Sequence, residues 1–179
     1  MEMLECGYAS VGEFHSVHHQ SGGQNYENIA ETSCRIINAA QKTGIGLTYL
    51  PVFYMQGGLN GKKLAEGQLR FGNELEQYLR ILDQTQNSLR NAPKDYLLGM
   101  APHSLRAVSP EFLKEIVEAR SSDTVHIHIA EQLKEVEEIQ THFDARPVEW
   151  LLNNIAVDSR WCLIHATHMT QEETQNLAK

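Results

Sequence analysis

The chain has 179 residues, 41% hydrophobic and 21% charged, with a formal net charge of −8 and no cluster of Lys and Arg. This is the composition of an ordinary soluble domain with one core, and it excludes a phosphate-tracking surface, so nucleic acid is not an expected partner. No apolar run approaches the roughly 18 residues of a membrane span, the acidic start M-E-M-L-E-C does not resemble a secretory signal, and the scattered Cys6, Cys34 and Cys162 form no disulfide framework or C-x-x-C metal site, which makes the cytoplasm the expected location.

In chain order, apolar strand patterns alternate with helical ones, the signature of parallel βαβ units. Leu4 to Phe14 reads as a first strand. A polar loop with glycines follows, then a helix of about Glu27 to Lys42, with Ile29, Ile36, Ile37 and Ala40 as its apolar stripe and Gly44 as its stop. Ile45 to Phe53 is almost continuously apolar, as suits a strand buried on both faces. The segment Tyr54 to Arg70, with four glycines, is longer than a connector needs and is a candidate binding loop or lid. A helix of about Phe71 to Asn91 leads into a third strand, Tyr96 to Ala101. Ser109 and Pro110 suit the N-cap and first position of the next helix. The fourth strand is Thr124 to Ala130, followed by a helical region through Glu137 to about Asn154 with a break near Asp144 to Pro147. Trp161 to Ala166 is the fifth strand, and Thr170 with Glu173 forms a capping box for a last helix.

The chemistry concentrates in V-H-I-H-I-A-E-Q, Val125 to Gln132. On a strand, Val125, Ile127 and Ile129 share one face and His126 and His128 the other. The β-branched face suits packing against helices. The histidine face then lines the inside of a curved sheet, where a neutral imidazole can bind a divalent cation. His128 stands near the carboxyl end of its strand with Glu131 just beyond, and W-C-L-I-H-A-T-H delivers His165 to the same end of the next strand. That end carries the chemistry of parallel α/β folds. His126 reads as a hydrogen-bonded core residue. His15, His18 and His19 fit either a pocket mouth or a solvated loop, His142 and His168 read as surface residues, and the run Lys134 to Glu138 reads as a solvated helix face.

Five βα units with no slack at either end are expected to be a piece of a larger barrel, since eight units take about 250 residues. The expected fold is therefore α/β, a partial TIM-type (β/α)8 barrel in a single domain.

Six segments carry a resemblance. G-E-F-H-S-V-H-H (Gly12 to His19), G-I-G-L-T-Y-L-P-V-F-Y (Gly44 to Tyr54), H-S-L-R-A-V (His103 to Val108), V-H-I-H-I-A-E-Q, R-P-V-E-W-L (Arg146 to Leu151) and R-W-C-L-I-H-A-T-H (Arg160 to His168) are similar to the formimidoylglutamate deiminases of the amidohydrolase superfamily. The resemblance implies that this chain supplies barrel strands two to six, and that the parent enzyme is a cytoplasmic homo-oligomer hydrolysing N-formimino-L-glutamate, a small acidic substrate, to N-formyl-L-glutamate and ammonia. It implies His128 as a zinc ligand, Glu131 as the proton shuttle, His165 as a hydrogen-bonding partner of the reacting group, and His103 and Arg106 as substrate-binding residues, Arg106 against a carboxylate. The remaining ligands, a strand-one H-x-H pair and a strand-eight aspartate, are expected outside this chain, which alone is then inactive. Ser16 stands where relatives carry a tyrosine, and Arg70 falls in a family motif without an assigned role. The alternatives are another amidohydrolase deaminase acting on a heterocyclic base, or a catalytically inactive fragment.

Overall fold

The computed structural model describes residues 1–179. Five strands, β1 (Ser10–His15), β2 (Gly46–Phe53), β3 (Tyr96–Pro102), β4 (Thr124–Ile129) and β5 (Trp161–His165), form one sheet in the order β1-β2-β3-β4-β5. Every neighbouring pair is parallel. Sequential parallel neighbours require a crossover after each strand, and helices supply it: α2 (Glu31–Thr43), α3 (Leu75–Leu89), α4 (Pro110–Ala119), and the pair α5 (Leu133–Phe143) and α6 (Pro147–Asn154). A further helix, α7 (Gln171–Leu177), follows β5, and a single turn, α1 (Glu2–Glu5), precedes β1. This is the winding of a partial (β/α)8 barrel. No helix is long and apolar enough to cross a membrane.

The core lies between the sheet and the helices. Val125, Ile127 and Ile129 of β4 are fully buried against Leu113 and Ile116 of α4, Val136 and Ile139 of α5, and Val148 and Leu151 of α6. Each such side chain contributes roughly 1.5–3 kcal/mol by leaving water. The opposite, concave face is more open: Leu50, Val52 and Ala101 are buried there with Phe14 and Tyr54 packed on them, whereas Leu97 is 56% exposed. Gly99 belongs to this face, and a methyl group in its place would lie 2.7 Å from Leu50 Cδ2 and 2.8 Å from the Thr124 carbonyl oxygen.

Several element boundaries differ from the sequence expectation. Leu4 belongs to the helical turn α1, and Gly7, at φ 89°, redirects the chain so that β1 starts only at Ser10. Helix α2 starts at Glu31 because the Asn28 side chain accepts the Ala30 N–H at 3.0 Å and holds the preceding residues in a turn. Helix α3 starts at Leu75, not Phe71, since Asn73 is committed elsewhere: its N–H donates to the Tyr54 carbonyl at 2.8 Å and its side chain bonds His19 at 2.9 Å. The break between α5 and α6 falls where Asp144 takes the left-handed conformation, φ 54°. Ser109 is the N-cap of α4 and Pro110 its first residue, but the serine hydroxyl makes no capping bond. Thr170 and Glu173 exchange both bonds of their capping box, at 2.7 and 3.1 Å.

Candidate active site

The carboxyl ends of the strands bring together all five residues singled out from the sequence. His128, on the concave face of β4, is the centre of the cluster. Its ring lies 5.1 Å from that of His103, 5.2 Å from that of His165 and 4.2 Å from that of Phe14. His103 follows β3 directly and is stitched into the sheet on both sides: its N–H donates to the Phe53 carbonyl at 3.0 Å, and its carbonyl accepts from the His128 N–H at 3.1 Å. Burial, followed by the neighbouring His128 and Arg106, lowers the pKa of His103 to about 4. Burial, and then His165, lowers that of His128 as well. The rings of His103 and His128 are therefore neutral at pH 7, the form that has a lone pair to offer.

His165 reaches the cluster by a route that alternation does not foresee. It pairs in register with Ile129, whose side chain is buried on the helix side, so a regular strand would send its ring the same way. Instead His165 has φ 68° and Ala166 φ 50°, and the ring stacks on His128. Ala130, at the end of β4, is also left-handed with φ 50°. A non-glycine residue in this region is held against a cost of about 1 kcal/mol or more. Backbone bonds hold these: Ala166 N–H to the Ile129 carbonyl at 3.0 Å and His168 N–H to the Ala130 carbonyl at 2.9 Å. The outcome is that Nε2 of His165 stands 3.8 Å from Oε1 of Glu131.

Beside the histidines opens a cleft of about 490 Å³, lined by Tyr54, Leu59, Lys62, His103, Arg106 and Glu138 among others. The glycine-rich segment after β2 forms one wall, through Gly57, Gly58 and Leu59, as the reading of Tyr54 to Arg70 as a binding loop expects. Backbone bonds tie that loop to the Arg106 turn, from Met55 and Gln56 to the Ala107 carbonyl at 3.0 and 3.2 Å, and the Gln56 side chain donates to the Arg106 carbonyl at 3.1 Å. The Arg106 guanidinium lies 3.8 Å from the Glu138 carboxylate, both partly exposed. Such a pair contributes little. An incoming carboxylate can displace it.

Sequence reasoning missed several contributors. Tyr54, whose ring packs 4.7 Å from His103 and whose hydroxyl accepts from Gln68 at 2.8 Å, was signalled only by its place at the end of an apolar strand. Lys134 to Glu138 is not a uniformly solvated face: Glu135 is buried and Glu138 faces Arg106. His18 and His19 are also buried, not solvated. Their Nε2 atoms bond the Val52 carbonyl and the Asn73 side chain at 2.9 Å each, and their N–H groups donate to the Arg70 carbonyl. They tie the segment after β1 to the end of β2 and to the turn before α3, and Arg70 enters the same network through its backbone. His126 is half-buried on the concave face, and His142 is exposed.

The neutral imidazole of His128 suits a transition metal, yet nowhere in the chain do three His, Cys, Asp or Glu side chains converge as a metal-binding group. The residues present thus fit part of a ligand set.

Comparison with known proteins agrees with this geometry. Formimidoylglutamate deiminase of Pseudomonas aeruginosa is 47% identical over 180 residues, covering 100% of this chain and 39% of that protein. 5-Methylthioadenosine/S-adenosylhomocysteine deaminase 2 of Archaeoglobus fulgidus is 38% identical over 82 residues, 45% of this chain and 20% of that protein. Among solved structures, an amidohydrolase from Brucella melitensis superposes with a TM-score of 0.96 at 47% identity, over 99% of this chain and 39% of that one. A guanine deaminase from C. acetobutylicum, at 14% identity and a TM-score of 0.72 over 98% of this chain and 38% of that one, shares the fold. The chain spans about 39% of the length of the Pseudomonas and Brucella proteins. Since the amidohydrolase family matches residues 1–179 throughout, and the strand ends gather the histidines and carboxylates described above, the chain belongs to the amidohydrolase family.

Proposed function

We propose that this chain contributes to the active site of a hydrolytic deiminase that converts N-formimino-L-glutamate and water to N-formyl-L-glutamate and ammonia, a step of histidine degradation. The observation that carries the reading is that Arg106 and His103 line one cleft, and that the His103 ring packs 5.1 Å from that of His128. A guanidinium presents a fork of donors matched to a carboxylate, and the substrate carries carboxylates away from its reacting carbon. The 47% identity to the Pseudomonas protein over the whole chain supports the same substrate.

The geometry supports a division of labour. His128 would hold a divalent metal, zinc by the preference of imidazole ligands, with the rest of the ligand set supplied from outside these residues. Such a metal, when bound, brings the pKa of a water to roughly 7. Glu131 takes a proton from the attacking water to the imino nitrogen and then carries the remaining hydroxyl proton of the tetrahedral adduct to the same nitrogen, so that the C–N bond breaks and ammonia leaves as the formyl C=O forms. His165, 3.8 Å from Glu131, orients the reacting group by hydrogen bonding. His103 is neutral, with Nδ1 bonded to the Ser104 hydroxyl at 3.1 Å, and its Nε2 remains for the substrate. A second reading, deamination of a heterocyclic base, draws on the aromatic rings of Phe14 and Tyr54 at the site and on the Archaeoglobus relative.

One experiment separates the two readings. The chain replaces the matching 180 residues of the Pseudomonas protein, and ammonia release is measured from formiminoglutamate and from 5′-methylthioadenosine. Turnover of formiminoglutamate alone is expected. Release from the nucleoside alone, or no turnover by a chimera that folds and carries metal, overturns the proposal.

A further inference from the structure

The end of β4 poses a local problem of bonding. At Ala130 the backbone turns left-handed, φ 50°, and leaves the sheet, so the N–H groups of Ala130 and Glu131 lose the ladder partners a continuing strand would give them. Ala130 is fully buried, and an unpaired N–H there is costly. One side chain resolves both. Glu135, in the first turn of α5 and 2% exposed, accepts the Ala130 N–H on Oε1 at 3.0 Å and the Glu131 N–H on Oε2 at 3.0 Å. No Lys, Arg or His lies within ion-pair distance of it, although Glu138 of the same helix pairs with Lys134 and Arg106. Two backbone donors and the amino end of α5, where the peptide dipoles favour negative charge, are what stabilise this buried carboxylate.

The clamp acts on the residue that matters most for the proposed chemistry. With its N–H fixed by Glu135 and the preceding carbonyl fixed by the His168 N–H at 2.9 Å, Glu131 leaves the strand in one direction, toward His165. We infer that Glu135 is the positioning residue of the site: it sets the backbone of Glu131 so that the Glu131 carboxylate reaches the reacting atoms, while touching neither substrate nor metal itself. This rests on the role given to Glu131 in the proposed reaction. It also explains why a charged helix run buries its first acidic residue: at that position, one turn after the strand end, a carboxylate can reach both N–H groups at once.

The test is a set of variants in the chimera described above. Glu135→Gln keeps the size of the side chain but replaces one acceptor oxygen by an NH2 group, which cannot accept a hydrogen bond from the facing N–H. A displacement of the shuttle on the order of 1 Å is expected to lower kcat by about 100-fold, with KM and metal content within about twofold of the parent, because binding does not pass through Glu131. Glu131→Gln is expected to lose turnover and retain metal, and the double variant to fall no further than Glu131→Gln alone. If Glu135→Gln does not fold, Glu135→Asp, which keeps both oxygens on a shorter stem, takes its place in the same cycle. Equal loss of metal and substrate binding, unchanged kcat, or a double variant that is lower than Glu131→Gln by the full factor of the single change would each overturn the inference. If Glu131→Gln itself leaves turnover intact, it is the proposed reaction that fails, and this outcome is distinct from the others.

Discussion

Acid is expected to attack this fold first through His18. The ring is buried, 1% exposed, and its Nε2 donates to the Val52 carbonyl at 2.9 Å. That bond places the proton on Nε2 and leaves Nδ1 as a bare acceptor, buried without a partner. Protonation would put a positive charge and an unmatched donor in a dry site. Burial accordingly lowers the pKa of His18 to about 3, helped by His15 and His19 and opposed by the Val52 bond. In the unfolded chain the same ring titrates near 6.5. The folded pKa lies below the unfolded one, so the unfolded state binds more protons between the two. The stabilisation is complete above pH 6.5 and is lost progressively as the pH falls toward 3. At about 1.4 kcal/mol per pH unit, the loss from this one ring between pH 6.5 and 4 is roughly 3 kcal/mol, a large part of a stability of about 5–15 kcal/mol. His103, lowered to about 4, adds to the loss in the same window. Urea denaturation at half-unit steps from pH 7 to 4, on the parent and on His18→Gln, isolates the His18 share. The variant is expected to start less stable at pH 7, through repacking, and to show a pH slope shallower by about 1 kcal/mol per unit. Parallel curves, or an NMR titration that places the His18 ring near 6.5 in the folded protein, would refute the reasoning.

In the chimera, Arg106→Ala is expected to raise KM for formiminoglutamate by about tenfold to a hundredfold with little change in kcat, since a charge-assisted carboxylate contact is present in the ground state as well as in the transition state. Steady-state kinetics check this, and an unaltered KM would send the carboxylate to another group. His128→Ala should strip the metal while His126→Ala, two residues earlier on the same face, should leave it in place. Metal analysis after gel filtration decides between them, and equal losses would remove the distinction. Gly99→Ala puts a methyl group against Leu50 and the Thr124 backbone, and a loss of about 1–3 kcal/mol in stability is expected from overpacking. An unchanged urea midpoint would mean that β3 and β4 can separate freely. Strands β1 and β5 each have one unpaired edge, and the isolated chain is expected to associate through them. Sedimentation as a monomer at high concentration would show that the edges are protected.

Much of the architecture is written in local order. Alternation places Val125, Ile127 and Ile129 against the helices and His128 on the concave face, and this holds because a strand has a period of two wherever its backbone is regular. Thr170 with Glu173 marks the start of α7 because a capping box closes within four residues. Wherever the outcome depends on a partner distant in the chain, local order does not contain it. His18 and His19 look like loop histidines until Val52 and Asn73 arrive beside them. Glu135 looks like one charge in a solvated run, and becomes a buried clamp only because the strand before it turns left-handed and presents two N–H groups. His165 is the sharpest case. By alternation it belongs on the helix side with its register partner Ile129, and it enters the active site only because bonds between the ends of β4 and β5 hold His165 and Ala166 in a conformation that L residues do not choose on their own.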